Sequence, residues 1–323
     1  MTGRLAPSPT GALHLGNARS FLLAWLSVRS QGGRLVLRME DLDHPKVKPN
    51  AADDALRDLR WLGLDWDEGP DVGGPSAPYV QTRRRALYAE VLERLRAQGL
   101  AYPCTCSRKD VESAQSAPHA GEDGLAYDGI CRGRFASYAE AAATLPPGRL
   151  PVWRFRAPDG VETRFDDLVC GPQRETVADT IGDFALARDP EGAGYMLAVV
   201  VDDAAMGVTE ILRGDDLLRT THRQILLQRA LGLPTPRYAH VPLVVAEDGR
   251  RLAKRHGDTR LSALRDAGIP PERIVGLLAW WCGWADFDAH VHPGELLAKF
   301  DLATLSRAPA VLTERVRLAL GLI

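Results

Sequence analysis

Apolar residues at Phe21, Leu22, Trp25 and Leu26, followed by Gly32 and Gly33, have the spacing of a buried helix with a glycine stop. The next stretch, RLVLRMEDLD (34–43), reads as a short strand running into acids. Helical patterns follow over 50–62 and 83–98, separated by the Gly/Pro-rich turn region DEGPDVGGPSAP (67–78). Strand, glycine-rich turn, helix and strand in that order open a parallel α/β sheet, whose ligands sit at the carboxyl ends of the strands. Glu40, Asp41 and Asp43 lie at such an end.

From Ala101 the pattern changes. A cysteine cluster, a Ser/Ala/Gly-rich loop (113–124) and the strand-like pieces PVWRFR (151–156) and VETRFDD (161–167) lack the earlier helix-strand alternation and read as an insertion. Alternation resumes with GYMLAVVVDDAAMGVTEILRGDDLL (194–218), then a helix over 220–231, then RYAHVPLVV (237–245) as a strand. The remainder, after Leu261, is helical. The division expected is 1–101 and 191–256 as two halves of one sheet domain, 102–190 as the insertion, and 257–323 as a helical end.

Composition adds little to this picture: 323 residues, 45% hydrophobic and 25% charged, are ordinary for a globular chain. The balance of 40 basic against 42 acidic residues means that a nucleic-acid partner needs a local basic face. No signal-peptide pattern and no apolar run of about 20 residues is present, so the expectation is a cytoplasmic protein with no membrane contact. Three of the five cysteines cluster at 104, 106 and 131, which suits thiols that bind metal in a reduced compartment; Cys170 and Cys282 read as inert core thiols.

Two stretches carry candidate chemistry. In RLAPSPTGALHLGNAR (4–19), Pro7 and Pro9 stiffen a loop, Gly11 and Gly16 allow close backbone approach, and His14 and Asn17 fall three apart at the helix start. A helix N-terminus with unused N–H groups is a phosphate site, to which an imidazole adds a donor. In EDGRRLAKRHGD (247–258), a turn at Asp248-Gly249 precedes Arg250, Arg251, Lys254 and Arg255. That run is either a solvated basic loop or a segment that swings a lysine onto a polyphosphate as charge develops.

PSPTGALHLGN (7–17) and RLAKR (251–255) resemble the two signature sequences of the class I aminoacyl-tRNA synthetases, which are carried on a Rossmann-type parallel sheet. RLAPSPTG, RMEDLD, YMLAVVVDD and GVTEILRGDDLL further resemble the glutamyl branch of that class, so the matches span residues 4 to 255. Two departures stand in the second signature, Arg251 where lysine is usual and Ala253 where serine is common; Lys254 is retained.

The resemblance implies an α/β fold with an inserted zinc-binding segment, and activation of the glutamate α-carboxylate by ATP brought with Mg2+. It implies His14, Asn17 and Lys254 as catalytic residues, stabilising charge on phosphate oxygens. Pro7, His14, Gly16, Asn17, Arg251 and Lys254 would contact ATP. Arg4, Leu5, Ala6, Pro7 and Ser8 would form one wall for glutamate, Arg213 a second guanidinium fork, Glu40 the partner of the ammonium, and Tyr195 a hydroxyl donor. Outside that context Arg213 reads as a surface ion pair with Asp215 or Asp216, and Tyr195 as a strand-edge aromatic.

Cys104 and Cys106 with YDGIC (127–131) supply three thiolates, whereas structural zinc takes four ligands. The residues alone leave the fourth open between His119, which generic ligand chemistry favours, and a tyrosine. The family pattern of C-x-C followed by Y-x-x-x-C implies Cys104, Cys106, Tyr127 and Cys131 around one structural zinc.

A full glutamyl-tRNA synthetase carries a large helical region that grips the anticodon, and this sequence runs only about seventy residues past Lys254, so no anticodon-binding domain is expected. That architecture is similar to a free-standing family that activates glutamate without tRNA and transfers it to queuosine at the wobble position of tRNA(Asp). The alternatives are a minimal enzyme charging the tRNA 3′ end and a catalytically silent regulatory paralogue. A monomer is expected.

Overall fold

The computed structural model describes all residues except 43–46, 108–109, 111–126, 189–193, 251, 253–257 and 323. Its first unit is a parallel pair, β1 (Thr2–Leu5) and β2 (Arg34–Leu37), joined through helix α1 (Leu15–Arg29). A Cβ on Gly3 would stand 2.3 Å from Val28 Cγ2, so the absent side chain is what lets α1 lie against β1.

Helices α2 (Ala51–Trp61) and α3 (Arg85–Ala97) follow, a 3-10 turn (Gln81–Arg84) leading into the latter. The inserted part begins at β3 (Ala101–Cys104). It holds the short helix α4 (Tyr138–Ala143), β4 (Val152–Phe155), the hairpin β5 (Glu162–Asp167) and β6 (Gly171–Thr176), the turn-long α5 (Val177–Thr180), and β7 (Phe184–Ala187). Strands β3, β4 and β7 form a three-stranded antiparallel sheet around Trp153, Phe155 and Phe184.

The β5–β6 hairpin departs from the expected boundary. Sequence pattern assigns it to the insertion, yet β5 pairs in parallel with β9 (Arg237–Val241) through Asp167 and Tyr238, giving the order β6-β5-β9-β8 with β8 (Glu210–Gly214). Beside β8 lies β1, joined by Thr209 N donating to Thr2 O at 2.8 Å. The hairpin is therefore an edge of the main array, with β5 parallel to β9 and β6 antiparallel to β5.

Two further readings are corrected. Tyr195 stands at no strand edge but opens helix α6 (Tyr195–Ala205), with eight consecutive buried residues from Met196 to Asp203; an unbroken apolar run lacks the period that distinguishes a buried helix from a buried strand. RYAHVPLVV splits at Pro242 into β9 and β10 (Val244–Ala246), which belong to different sheets, because proline cannot donate to a ladder. Helix α7 (Leu218–Leu231) separates β8 from β9 and ends at Gly232 with φ +65°.

The last part is helical as expected, α8 (Leu261–Asp266), α9 (Pro271–Trp280) and α10 (Glu314–Ala319), with one addition: β11 (Ala310–Leu312) pairs in parallel with β10. Glu247, just past β10, accepts from Glu314 N at 3.0 Å and pairs with Arg317 at 3.4 Å. Among the described residues no helix is long and apolar enough to cross a membrane.

One buried polar cluster ties these parts together. Arg38, fully buried just past β2, holds Asp203 at 2.7 Å and Glu40 at 2.9 Å. The neighbouring Asp202 of α6 accepts from Arg84 Nε at 2.6 Å, Tyr88 Oη at 2.8 Å and Gln81 Nε2 at 2.9 Å. Removing one partner from such a set leaves buried charge uncompensated. Arg38→Met is expected to lower stability by about 3–5 kcal/mol, measured as a shift in the urea unfolding midpoint, whereas Arg57→Met, in an exposed pair with Asp54, should change it by less than about 1 kcal/mol.

Candidate active site

The carboxyl ends of β1, β2 and β8 converge on a cavity of about 490 Å³. Alternation along the first strand decides which side chains reach it: Arg4, Ala6 and Ser8 line it, while Leu5 is fully buried in the main core. Pro7 lines an adjoining cleft of about 310 Å³ that shares Ala6, Ser8, His14 and Asn17 with the first. Of the expected glutamate wall, Leu5 lines neither cleft, and its carbonyl accepts from Arg38 N at 2.8 Å.

The histidine loop is organised differently from the expected phosphate cradle. His14 is the N-cap of α1, and its Nδ1 accepts from Gly16 N at 3.0 Å and Asn17 N at 3.4 Å. Asn17 Oδ1 in turn accepts from His14 N at 3.1 Å, completing a reciprocal capping box. Leu15 N donates to Thr259 O at 3.1 Å and Ala18 N to His14 O at 2.9 Å. The first-turn amides are therefore engaged within the protein, and an anion here meets the imidazole instead. With Nδ1 acting as acceptor, the proton sits on Nε2, on a side chain lining both clefts. Gly16 makes room for this: a Cβ there would lie 2.9 Å from His14 Cε1.

Opposite lies Arg213, buried near the end of β8. It forms no ion pair with Asp215 or Asp216 of the kind a surface arginine would. Its Nε donates to His240 Nε2 at 3.0 Å, and Nη2 donates to Gln224 Oε1 at 2.7 Å and Thr221 Oγ1 at 2.8 Å. Nη1 has no partner among the described residues, on a side chain that lines the cavity. Arg4 Nη1 donates to Leu212 O at 3.2 Å, and its Nε stands 3.8 Å from Asp203.

Glu40 supplies the anionic wall, with Oε1 on Arg38 at 2.9 Å; burial pushes its carboxyl above the ordinary value against the pull of Arg38 and Arg4. Tyr195, the first residue of α6, lines the same cavity. The chamber thus presents two guanidinium groups, the carboxylates of Glu40 and Asp216, the His14 imidazole and one phenol, so that cations and anions both line it and suit a small zwitterion bearing a second carboxylate.

Sequence reasoning missed what holds these groups. Asp167, His240, Thr221 and Gln224 fix Arg213, and Arg38 fixes Glu40. Nothing in RYAHV or EILRG announces this: it is the parallel register of β8 and β9 that places Arg213 beside His240. Of the acids at the end of β2, Asp41 turns away and accepts from Thr82 N at 2.8 Å and Thr82 Oγ1 at 2.6 Å. Asp43, Arg251 and Lys254 lie outside the described residues.

In the inserted part, the Sγ atoms of Cys104, Cys106 and Cys131 lie within 4.8 Å of one another, with Cys106 and Cys131 3.6 Å apart. Tyr127 Oη sits 3.2 Å from Cys104 Sγ and 3.8 Å from Cys106 Sγ. Tetrahedral zinc with Zn–S of about 2.3 Å implies ligand separations of about 3.8 Å, so four donors are already near the corners of the required polyhedron. Burial pushes the Cys106 thiol up to about 12; Cys131 falls to about 7, burial being outweighed by hydrogen bonds from Tyr127, Thr105 and the other two cysteines. His119 lies outside the described residues. Cys170 is partly buried and donates to His240 O at 3.4 Å, and Cys282 is buried.

A parallel sheet whose strand ends hold a histidine-capped helix and two arginines facing a carboxylate is the framework of a class I synthetase. Residues 1–315 match the family described as "tRNA synthetases class I (E and Q), catalytic domain", and the chain belongs to that family. It is 52% identical over 310 residues to a glutamyl-Q tRNA(Asp) synthetase of Symbiobacterium thermophilum, covering 96% of this chain and 95% of that protein. It is 44% identical to glutamate--tRNA ligase 1 of Halorhodospira halophila, covering 95% of this chain but 64% of that protein. Among solved structures, a glutamate tRNA ligase from Elizabethkingia meningosepticum in complex with its amino acid superposes with a TM-score of 0.79 at 26% identity, covering 99% of this chain and 68% of that one.

The cap predicts an observable titration. Burial holds the His14 imidazole below its ordinary value, and protonating Nδ1 would set a donor against two amide donors. Nitrogen-detected NMR of the imidazole is expected to show the Nε2–H tautomer with a midpoint below about pH 6.5. Gly16→Ala, by displacing the ring toward solvent, should move that midpoint upward.

Proposed function

We propose that this protein activates L-glutamate with ATP, without tRNA, and transfers the glutamyl group to queuosine at the wobble position of tRNA(Asp). The observation that carries the reading is the higher identity to a glutamyl-Q tRNA(Asp) synthetase, 52%, against 44% to the glutamate--tRNA ligase over nearly the same residues of this chain. The cavity supports it with a donor set suited to glutamate.

In the first step a carboxylate oxygen of glutamate attacks the ATP α-phosphorus in line; the bond to the bridging β-phosphate oxygen breaks, and pyrophosphate leaves with its magnesium. Arg4 and Arg213 receive a substrate carboxylate and Glu40 the ammonium, while Tyr195 donates its hydroxyl hydrogen bond. Ser8 and the backbone of residues 6–7 complete the glutamate wall. Nε2–H of His14 and the ammonium of Lys254 stabilise charge on phosphate oxygens, and Asn17 acts through the cap that holds the imidazole. Pro7, Gly16 and Arg251 complete the ATP face. In the second step a hydroxyl of the cyclopentene diol of queuosine attacks the acyl carbon and AMP departs. A cis-diol on a five-membered ring resembles the terminal ribose that an ordinary synthetase esterifies, so an anticodon loop can use a site of acceptor-end geometry.

Cys104, Cys106, Tyr127 and Cys131 would hold one zinc ion, which supplies a closed structural crosslink of the inserted part. The protein acts as a cytoplasmic monomer in this reading.

Transfer of labelled glutamate to tRNA(Asp) with and without queuosine, the terminal adenosine having been removed, tests the reading. Label is expected only on the queuosine-containing, end-trimmed tRNA; label confined to intact 3′ ends of tRNA(Glu) or tRNA(Asp) would instead make this a charging enzyme. Lys254→Ala is expected to lower glutamate-dependent ATP–pyrophosphate exchange by about 100- to 1,000-fold. Metal analysis of protein purified without added zinc should give about one zinc per chain, and Cys104→Ser should lose the metal and destabilise residues 101–187 toward proteolysis.

A further inference from the structure

Three adjacent parallel strands place Asp167, His240 and Arg213 in one row. Asp167 ends β5, Arg213 and His240 are register partners in β8 and β9, and all three side chains are buried. Asp167 Oδ2 lies 2.6 Å from His240 Nδ1, and its Oδ1 is occupied by the backbone N–H groups of Val169, Cys170 and His240. A carboxylate accepts only, so the hydrogen between Asp167 and His240 resides on Nδ1. Nε2 then carries a lone pair, which is what Arg213 Nε–H requires at 3.0 Å.

We infer that Asp167 is a positioning residue that acts through His240: by fixing the imidazole tautomer it fixes Arg213 and thereby the binding of the substrate carboxylate. The histidine transmits orientation and transfers no proton to substrate. With Nε committed to His240 and Nη2 to Thr221 and Gln224, the guanidinium is locked about its long axis, and Nη1 is the nitrogen left for a ligand. The inference rests on the reading of Arg213 as a carboxylate ligand.

Asp167→Asn tests it. The amide keeps an oxygen for the three backbone donors but turns its NH2 toward Nδ1, which moves the imidazole proton to Nε2 and opposes it to Arg213 Nε–H. Imidazole nitrogen NMR should show His240 changing from the Nδ1–H to the Nε2–H form. In pyrophosphate exchange the KM for glutamate should rise by about tenfold or more, since a charge-assisted hydrogen bond is lost, with the KM for ATP within about twofold.

His240→Gln offers Arg213 an amide oxygen that needs no tautomer. The double variant Asp167→Asn, His240→Gln is therefore expected to bind glutamate better than Asp167→Asn alone. A double variant as impaired as the sum of the singles, or a tautomer change that leaves the glutamate KM unaltered, would overturn the relay. Arg213→Met separates the two layers: an unchanged glutamate KM there removes Arg213 from the carboxylate site and the relay with it. A raised KM in Arg213→Met with an unaffected Asp167→Asn removes the relay alone.

Discussion

The buried charge around Arg38 is the constraint on which the cavity depends. A guanidinium with no exposure to water needs compensation from every direction, and it draws Glu40 from its own segment just past β2 and Asp203 from α6, with Asp202 close by at 3.8 Å. Through Asp202 the same cluster reaches Gln81, Arg84 and Tyr88, at the foot of the helix that leads into the inserted part. Satisfying these groups therefore fixes the mutual position of the two halves of the sheet and the insertion between them. Apolar side chains of similar volume would give equal or greater stability. They would not hold a carboxylate at the cavity wall or keep Arg4 within reach of Asp203.

A second polar row complements the first. Arg38 presents an anion, Glu40, while the row through Asp167 and His240 presents a cation, Arg213. The two arrangements are built on opposite sides of the array and share a principle: each group that faces the cavity is oriented by groups that do not. Such outer support converts long, flexible side chains into directional ones, because the rotamer freedom is lost on folding rather than on binding.

Much of the fold was legible because its signals are local. The helix after the histidine loop, the short strand 34–37 and the helices 51–61 and 85–97 follow from apolar spacing and glycine stops, and the observed elements agree within a few residues. What was not legible depended on pairing across the chain. The β5–β6 hairpin joins the main sheet through a partner some seventy residues away, and nothing in VETRFDD announces it. Tyr195 opens a helix whose buried run conceals its period. The cavity-lining residues came from motif resemblance, while the residues that orient them, Arg38, Asp167, His240 and Gln224, needed the strand register. The cysteine spacing located three donors and left the fourth open, the family pattern pointed to Tyr127, and the fold has the Tyr127 phenol beside the thiols.

The cap at His14 restricts what evolution can place there. A lysine or arginine at this position would attract phosphate more strongly than a neutral imidazole does, but neither carries a lone pair for the amides of Gly16 and Asn17. Aspartate or serine would cap the helix as well and offer an anion less. A neutral histidine accepts on one edge and donates on the opposite one at the same moment, so in the proposed site the beginning of the helix and the contact with the nucleotide draw on a single ring and cannot be optimised separately.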